Sequence, residues 1–138
     1  MELKRVVVTG LGAITPLGND VASTWEAAIA GKSGAGPITH FDASLFKTQF
    51  ACEVKNFNAA DHITDRKKLR QLDLYAQYAL VAARQAVEDS GLETSEGVDR
   101  NRVGVIVAAG IGGLHTFEEE AGYYAINHEN GPKYNPFF

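Results

Sequence analysis

The residue types best able to do chemistry in this chain are one cysteine, four histidines and a short run of cations. Cys52 lies in Phe50-Ala51-Cys52-Glu53-Val54. A thiol becomes a nucleophile when a histidine or a helix N-terminus stabilises its thiolate. Nothing adjacent in sequence offers either, so Cys52 reads as a small buried or half-buried residue of a short strand. His40, His62, His115 and His128 do not pair with one another at ligand spacing. His115 and Glu119 can share a helix face, but a metal site needs a third protein ligand, and no metal site is expected. One cysteine permits neither an intramolecular disulfide nor a cysteine-rich zinc site, and accords with a reducing cytoplasm.

Three glycine-containing segments invite a ligand-binding reading. Gly10-Leu11-Gly12-Ala13-Ile14-Thr15 opens like a dinucleotide fingerprint, but Thr15 stands where the third glycine belongs and no helix opens there. It reads as a tight exit from a strand. Gly31-Lys32-Ser33 has the end of a phosphate loop but not its beginning, since position 26 is Glu and a helix precedes it. That segment reads as a helix C-cap followed by loop. Ala108-Ala109-Gly110-Ile111-Gly112-Gly113-Leu114 leaves a strand into glycines, which allow close approach by a ligand or another chain. A branched Ile between glycines can act as a small movable wall. The plainer reading is a tight turn beneath a helix.

The cation run is Asp65-Arg66-Lys67-Lys68-Leu69-Arg70. On one helix, Arg66 and Arg70 share a face and Lys67 lies beside Arg70. Positive charge at a helix N-terminus opposes the macrodipole, so local stability does not explain the cluster. An acidic partner would.

These groups need a frame. Alternating strand and helix signals predict an α/β architecture. Leu3–Leu11 and Val103–Ala109 read as buried strands, because they are nearly continuous in apolar, β-branched residues. Phe50–Val54 reads as a shorter strand, and Asn56–Ala60 as a turn. Helices are expected over Asp20–Ala30, stopped by Gly31, over Asp65–Ser90, stopped by Gly91, and over about His115–Asn127. Asn130–Phe138 reads as loop. The strands lack evident sheet neighbours, so the chain is expected to be part of a larger fold.

The chain has 138 residues, 45% hydrophobic and 22% charged, which is globular composition for about one domain. A net charge of −4 and a pI near 5.5 argue against nucleic-acid binding driven by whole-domain charge. No apolar run reaches the ~20 residues of a membrane helix, so neither nucleic acid nor membrane is expected as a partner.

Taken in order, Arg5-Val6-Val7-Val8-Thr9-Gly10-Leu11-Gly12, Thr15-Pro16-Leu17-Gly18-Asn19, Thr24-Trp25 and Gly31-Lys32-Ser33-Gly34 resemble the opening of a β-ketoacyl-ACP synthase. His40-Phe41-Asp42, Asp89-Ser90-Gly91-Leu92, Gly110-Ile111-Gly112-Gly113-Leu114 and Asn135-Pro136-Phe137-Phe138 continue the likeness across nearly the whole chain. The Gly-Ile-Gly-Gly-Leu and Phe-Asp elements favour the type II synthase of fatty acid synthesis.

The resemblance implies a thiolase-like fold, an α-β-α-β-α layered sandwich of two similar halves, with residues 1–138 as most of the N-terminal half. It implies a decarboxylating Claisen condensation between acyl-ACP and malonyl-ACP, performed in the cytoplasm by a homodimer without a cofactor. The family's nucleophilic cysteine and two histidines are expected beyond Phe138, and Cys52 does not match the nucleophile, so this chain alone is expected to be inactive. The resemblance places Gly110 and Ile111 at the acyl pocket. It has Phe138 reaching the acyl pocket of the dimer partner, and Lys67 and Arg70 docking the acidic carrier protein. Gln71 stands where the family often has another basic residue. Two other readings remain: an inactive, chain-length-factor-like scaffold subunit, and a free-standing α/β binding module.

Overall fold

The computed structural model describes residues 4–131. Helix α1 spans Val21–Ile29. Strands β1, Gly36–Pro37, and β2, Phe50–Ala51, form an antiparallel pair, with Gly36 opposite Ala51 and Pro37 opposite Phe50. Helices α2, Arg66–Leu69, α3, Leu74–Ser90, and α4, Leu114–Asn127, follow. Short 3₁₀ turns lie at Ala59–Asp61, Arg100–Arg102 and His128–Asn130.

Local chemistry sets the helix ends. Asp20 caps α1, its carboxylate accepting from the Ser23 N–H at 2.7 Å and from the Ser23 hydroxyl at 2.8 Å. Those bonds hold the Asp20 carboxyl below its ordinary pKa. Gly31 (φ +66°) and Gly91 (φ +63°) follow α1 and α3 in the left-handed conformation that glycine adopts without a Cβ penalty. Both stops fall where the sequence predicts them.

Helix α3 is the spine. A small core of Ala59, Ile63 and Val81, the last only 2% exposed, forms against it, with Ile14, Phe57 and Leu69 packed around. Phe57 meets Tyr78 edge-on at 4.8 Å between ring centroids. Burial of Tyr78, and secondarily the charge of Glu53, raise its hydroxyl pKa. On the other side of α3 runs Gly10-Leu11-Gly12-Ala13. The Leu11 N–H donates to Asp89 Oδ2 at 2.9 Å and the Ala13 N–H to Gln85 Oε1 at 3.0 Å. Gln85 in turn donates to the Asn19 carbonyl at 2.8 Å. The two glycines let this backbone lie directly on Ala82, Ala86 and Ser90, so they serve helix packing.

Four expectations change. Of the expected strands Leu3–Leu11 and Val103–Ala109, residues 4–11 and 103–109 are not paired in a sheet: among the described residues the only ladder is β1–β2. Val6–Val8 and Val105–Val107 are exposed, because a strand is stable only with hydrogen-bonded neighbours and a covered face. Gly36–Pro37 is a strand within an expected loop, and it shortens the Phe50–Val54 strand to the two residues it pairs with. Cys52 therefore lies just outside the ladder and is exposed.

The fourth change is a break in the helix expected over Asp65–Ser90, at Arg70–Asp73. A continuous helix would hold the cations in its first turn against the dipole. In α2 the Asp65 carboxylate caps Lys67 and Lys68 N–H groups, and the same cations lie within one turn of C-terminal carbonyls. The Asn130–Phe138 loop falls largely outside the described residues.

Candidate functional site

The predicted residues fall in two places. Lys67 and Arg70 stand on α2 and at its C-cap, exposed beside Arg66 and Lys68. Among the described residues no ion pair engages these four cations. The side chains therefore present uncompensated positive charge in a chain of net charge −4. Gly110 and Ile111 lie in the turn before α4, and Ile111 is 79% exposed. Phe138 lies outside the described residues.

The structure joins these two places through residues that sequence reasoning did not single out for a role. Asp73 occupies the N-cap of α3, yet its side chain does not cap that helix. It turns to α4 and accepts the Thr116 hydroxyl at 2.5 Å. Its carboxylate also lies against the Cα of Gly113, where a Cβ would have no room. Gly112, at φ +81°, faces the Tyr75 ring. The short connection between α2 and α3 is itself closed by Gln77, which donates to the Leu72 carbonyl at 2.8 Å. The adjacency of Gly112 and Gly113 was the legible signal; Asp73 falls inside the helix expected over Asp65–Ser90 and gave none.

Beside this junction a groove of about 720 Å³ is lined by His40, Phe41, Asp73, Leu74, Leu114, His115 and Glu118. Its His40 side is fixed by Glu53, which accepts the Thr39 hydroxyl at 2.7 Å, the Thr39 N–H at 3.0 Å and the His40 N–H at 3.3 Å. The Thr39 bonds, followed by those from His40, hold the Glu53 carboxyl below its ordinary pKa. His115 reaches Glu119 at 3.5 Å, as their spacing predicts. Among the described residues no group of three potential ligands could hold a metal ion, and no helix is long and apolar enough to cross a membrane.

The arrangement of helices around α3, with the glycine turn held against Asp73 and Tyr75, belongs to a class already solved. The fold matches the thiolase-like ketosynthases. One such structure, the ishigamide ketosynthase/chain length factor, superposes with a TM-score of 0.71 at 29% identity, over 95% of this chain and 32% of that one. Another is a type II polyketide synthase acyl-carrier protein in complex with its ketosynthase, AntDE:AntF, with a TM-score of 0.69 at 29% identity, over 98% and 34%.

The family model described as "Beta-ketoacyl synthase, N-terminal domain" matches residues 3–136, and the chain belongs to that family. It is 49% identical over 138 residues to a 3-oxoacyl-[acyl-carrier-protein] synthase 2 of Coxiella burnetii, covering all of this chain and 32% of that protein. It is 50% identical over 115 residues to the protein of the same name from Staphylococcus aureus (strain COL), covering 83% of this chain and 27% of that protein. The chain thus spans about a third of the length of these curated relatives.

Proposed function

We propose that residues 1–138 form the N-terminal part of a ketoacyl synthase domain in a condensing enzyme of fatty acid synthesis. The enzyme elongates acyl-ACP with malonyl-ACP, as a homodimer in the cytoplasm. In this reaction the acyl group passes from the carrier to an enzyme cysteine. Malonyl-ACP then loses carbon dioxide, and the resulting carbanion forms a carbon–carbon bond to the acyl carbonyl. The cysteine thiolate leaves, and 3-oxoacyl-ACP results. This chain supplies recognition to that chemistry.

The observation that carries the reading is the exposed, unpaired cation row on α2, tied through Asp73 to the turn that bears Ile111. An acidic carrier meets Lys67 and Arg70 by charge complementarity, which speeds encounter and fixes its register. Gly110 leaves space beside Ile111, so a branched side chain can form one wall of the acyl pocket. Phe138 completes that pocket from the neighbouring subunit. The exposed Val6–Val8 and Val105–Val107 suit burial by further strands of a layered sheet. One exposed free cysteine accords with a reducing compartment.

The test is a double charge reversal, Lys67→Glu with Arg70→Glu, in the full-length protein. KM for both carrier-bound substrates should rise on the order of 10-fold or more at low salt, as expected for reversing charges at an encounter surface. The difference should shrink as salt is raised past about 0.15 M, where exposed charges are screened beyond about 8 Å. Unchanged carrier affinity at all salt concentrations would remove the docking role. The likeness to the ishigamide ketosynthase/chain length factor supports a second reading, a non-condensing scaffold subunit. Higher identity to the synthase 2 relatives favours the enzyme.

A further inference from the structure

We propose that Asp73 and Thr116 are positioning residues that set the acyl-chain selectivity of the enzyme by holding the Gly110–Gly113 turn in register with α3. This rests on the proposed role of Ile111 as a wall of the acyl pocket.

The argument begins with a side chain that is not where local chemistry would put it. An Asp at an N-cap ordinarily accepts from the second or third N–H of its own helix. Asp73 does not: the Ala76 and Gln77 N–H groups bond its backbone carbonyl, and its carboxylate faces α4. There it accepts the Thr116 hydroxyl at 2.5 Å. Helix α4 has Gly113 at its N-cap and so has no side chain of its own to cap it. The carboxylate of α3 thus stands at the start of α4, where negative charge is favoured. Thr116 and Asp73 are both half-buried, which strengthens a charge-assisted bond relative to one in open solvent.

The turn itself is open on its Ile111 side. Gly110 has open space where a Cβ would be, and Ile111 is exposed. At the two glycines of the turn that follow Ile111, the neighbours from α3 and its cap are the Tyr75 ring beside Gly112 and the Asp73 carboxylate beside Gly113. Asp73 therefore fixes how far the turn, with Ile111 on it, can move from α3. Releasing it loosens the wall without altering the cations on α2.

The experiment uses the full-length protein and reads the ratio of kcat/KM for a long and a short acyl-ACP, the affinity for the carrier protein, and amide exchange over residues 110–117. Thr116→Val keeps the shape and removes the hydroxyl. It should change the selectivity ratio on the order of 10-fold, the equivalent of losing one hydrogen bond to a charged acceptor. It should also speed exchange across the turn. Thr116→Ser restores the donor and should return both readouts to within about twofold of the parent, the usual margin between independent sites. Carrier affinity should stay within the same margin in both.

Asp73→Asn provides a milder lesion, should Thr116→Val fold poorly. It keeps an acceptor but loses the charge, and should give about half the effect in free-energy terms, roughly threefold. Ile111→Ala tests the underlying reading. If Ile111→Ala shifts selectivity while Thr116→Val does not, the positioning role is wrong and the acyl-wall reading stands. If Thr116→Ser behaves like Thr116→Val, the hydroxyl is not the cause and the proposal is overturned. If Ile111→Ala leaves selectivity unchanged, the wall reading falls and takes this proposal with it.

Discussion

Gly12→Ala puts the packing of this fold to a quantitative test. A Cβ at position 12 would stand 2.8 Å from the Ala82 carbonyl carbon and 2.9 Å from the Ala86 nitrogen, and nearer still to the Ala82 oxygen. All three are backbone atoms inside α3, so no side chain can rotate away, and the segment must lift from the helix. Overpacking of this kind costs about 1–3 kcal/mol. Lifting the chain also breaks the Ala13 N–H bond to Gln85, with a net loss of about 1 kcal/mol for a typical hydrogen bond. The expected destabilisation is therefore about 2–4 kcal/mol.

Urea unfolding of the full-length protein reads this change, with Trp25 on α1 as a fluorescent probe in this part of the chain. The slope rises with size above the about 1–3 kcal/mol/M of small proteins, so the midpoint should fall by a few tenths of 1 M to about 1 M at unchanged slope. Gly97→Ala is the control, because its Cβ would meet nothing within 4 Å and its φ is not positive. If Gly12→Ala and Gly97→Ala unfold at the same midpoint, the close approach of this segment to α3 is refuted.

Gly91→Ala separates strain from space. Its Cβ would meet only Thr94 Oγ1 at 3.7 Å, so the expected loss of about 1–2 kcal/mol comes from the left-handed backbone alone; a melting temperature equal to the parent's would contradict this. Asp20→Ala removes the α1 cap and should cost about 1 kcal/mol near neutral pH. The Asp20 carboxyl has a lowered pKa in the folded chain, so its contribution is present above the unfolded value, near 3.8, and is lost as pH falls through the folded value. The stability difference between parent and Asp20→Ala should therefore narrow on acidification below about pH 4; a gap that widens instead would show that the cap is not the source.

Punctuation residues carried most of what the sequence revealed about the helices. Asp20, Gly31 and Gly91 fix helix ends through backbone chemistry local to each, and the observed ends follow them. What was not legible depends on distant partners. Val6–Val8 and Val105–Val107 have strand-forming side chains, but pairing is decided by what lies alongside, and among the described residues nothing does. Likewise, no local rule shows that Gly10 and Gly12 would ride on Ala82 and Ala86 of α3.

The cation row was legible because it conflicts with a helix N-terminus; the structure resolves the conflict by ending α2 early. Asp73 was hidden because the sequence places it inside a continuous helix, and its partner Thr116 is 43 residues away.

We propose that this chain belongs to a condensing enzyme whose carrier docks on α2. The most direct measurement supplies acyl-ACP and malonyl-ACP to the full-length protein and follows carbon dioxide and 3-oxoacyl-ACP together. The account predicts one carbon dioxide released for each 3-oxoacyl-ACP formed, and a slower rate at low salt when Lys67 and Arg70 are reversed to Glu. Binding of the carrier with neither product formed would contradict it and leave the scaffold subunit in its place.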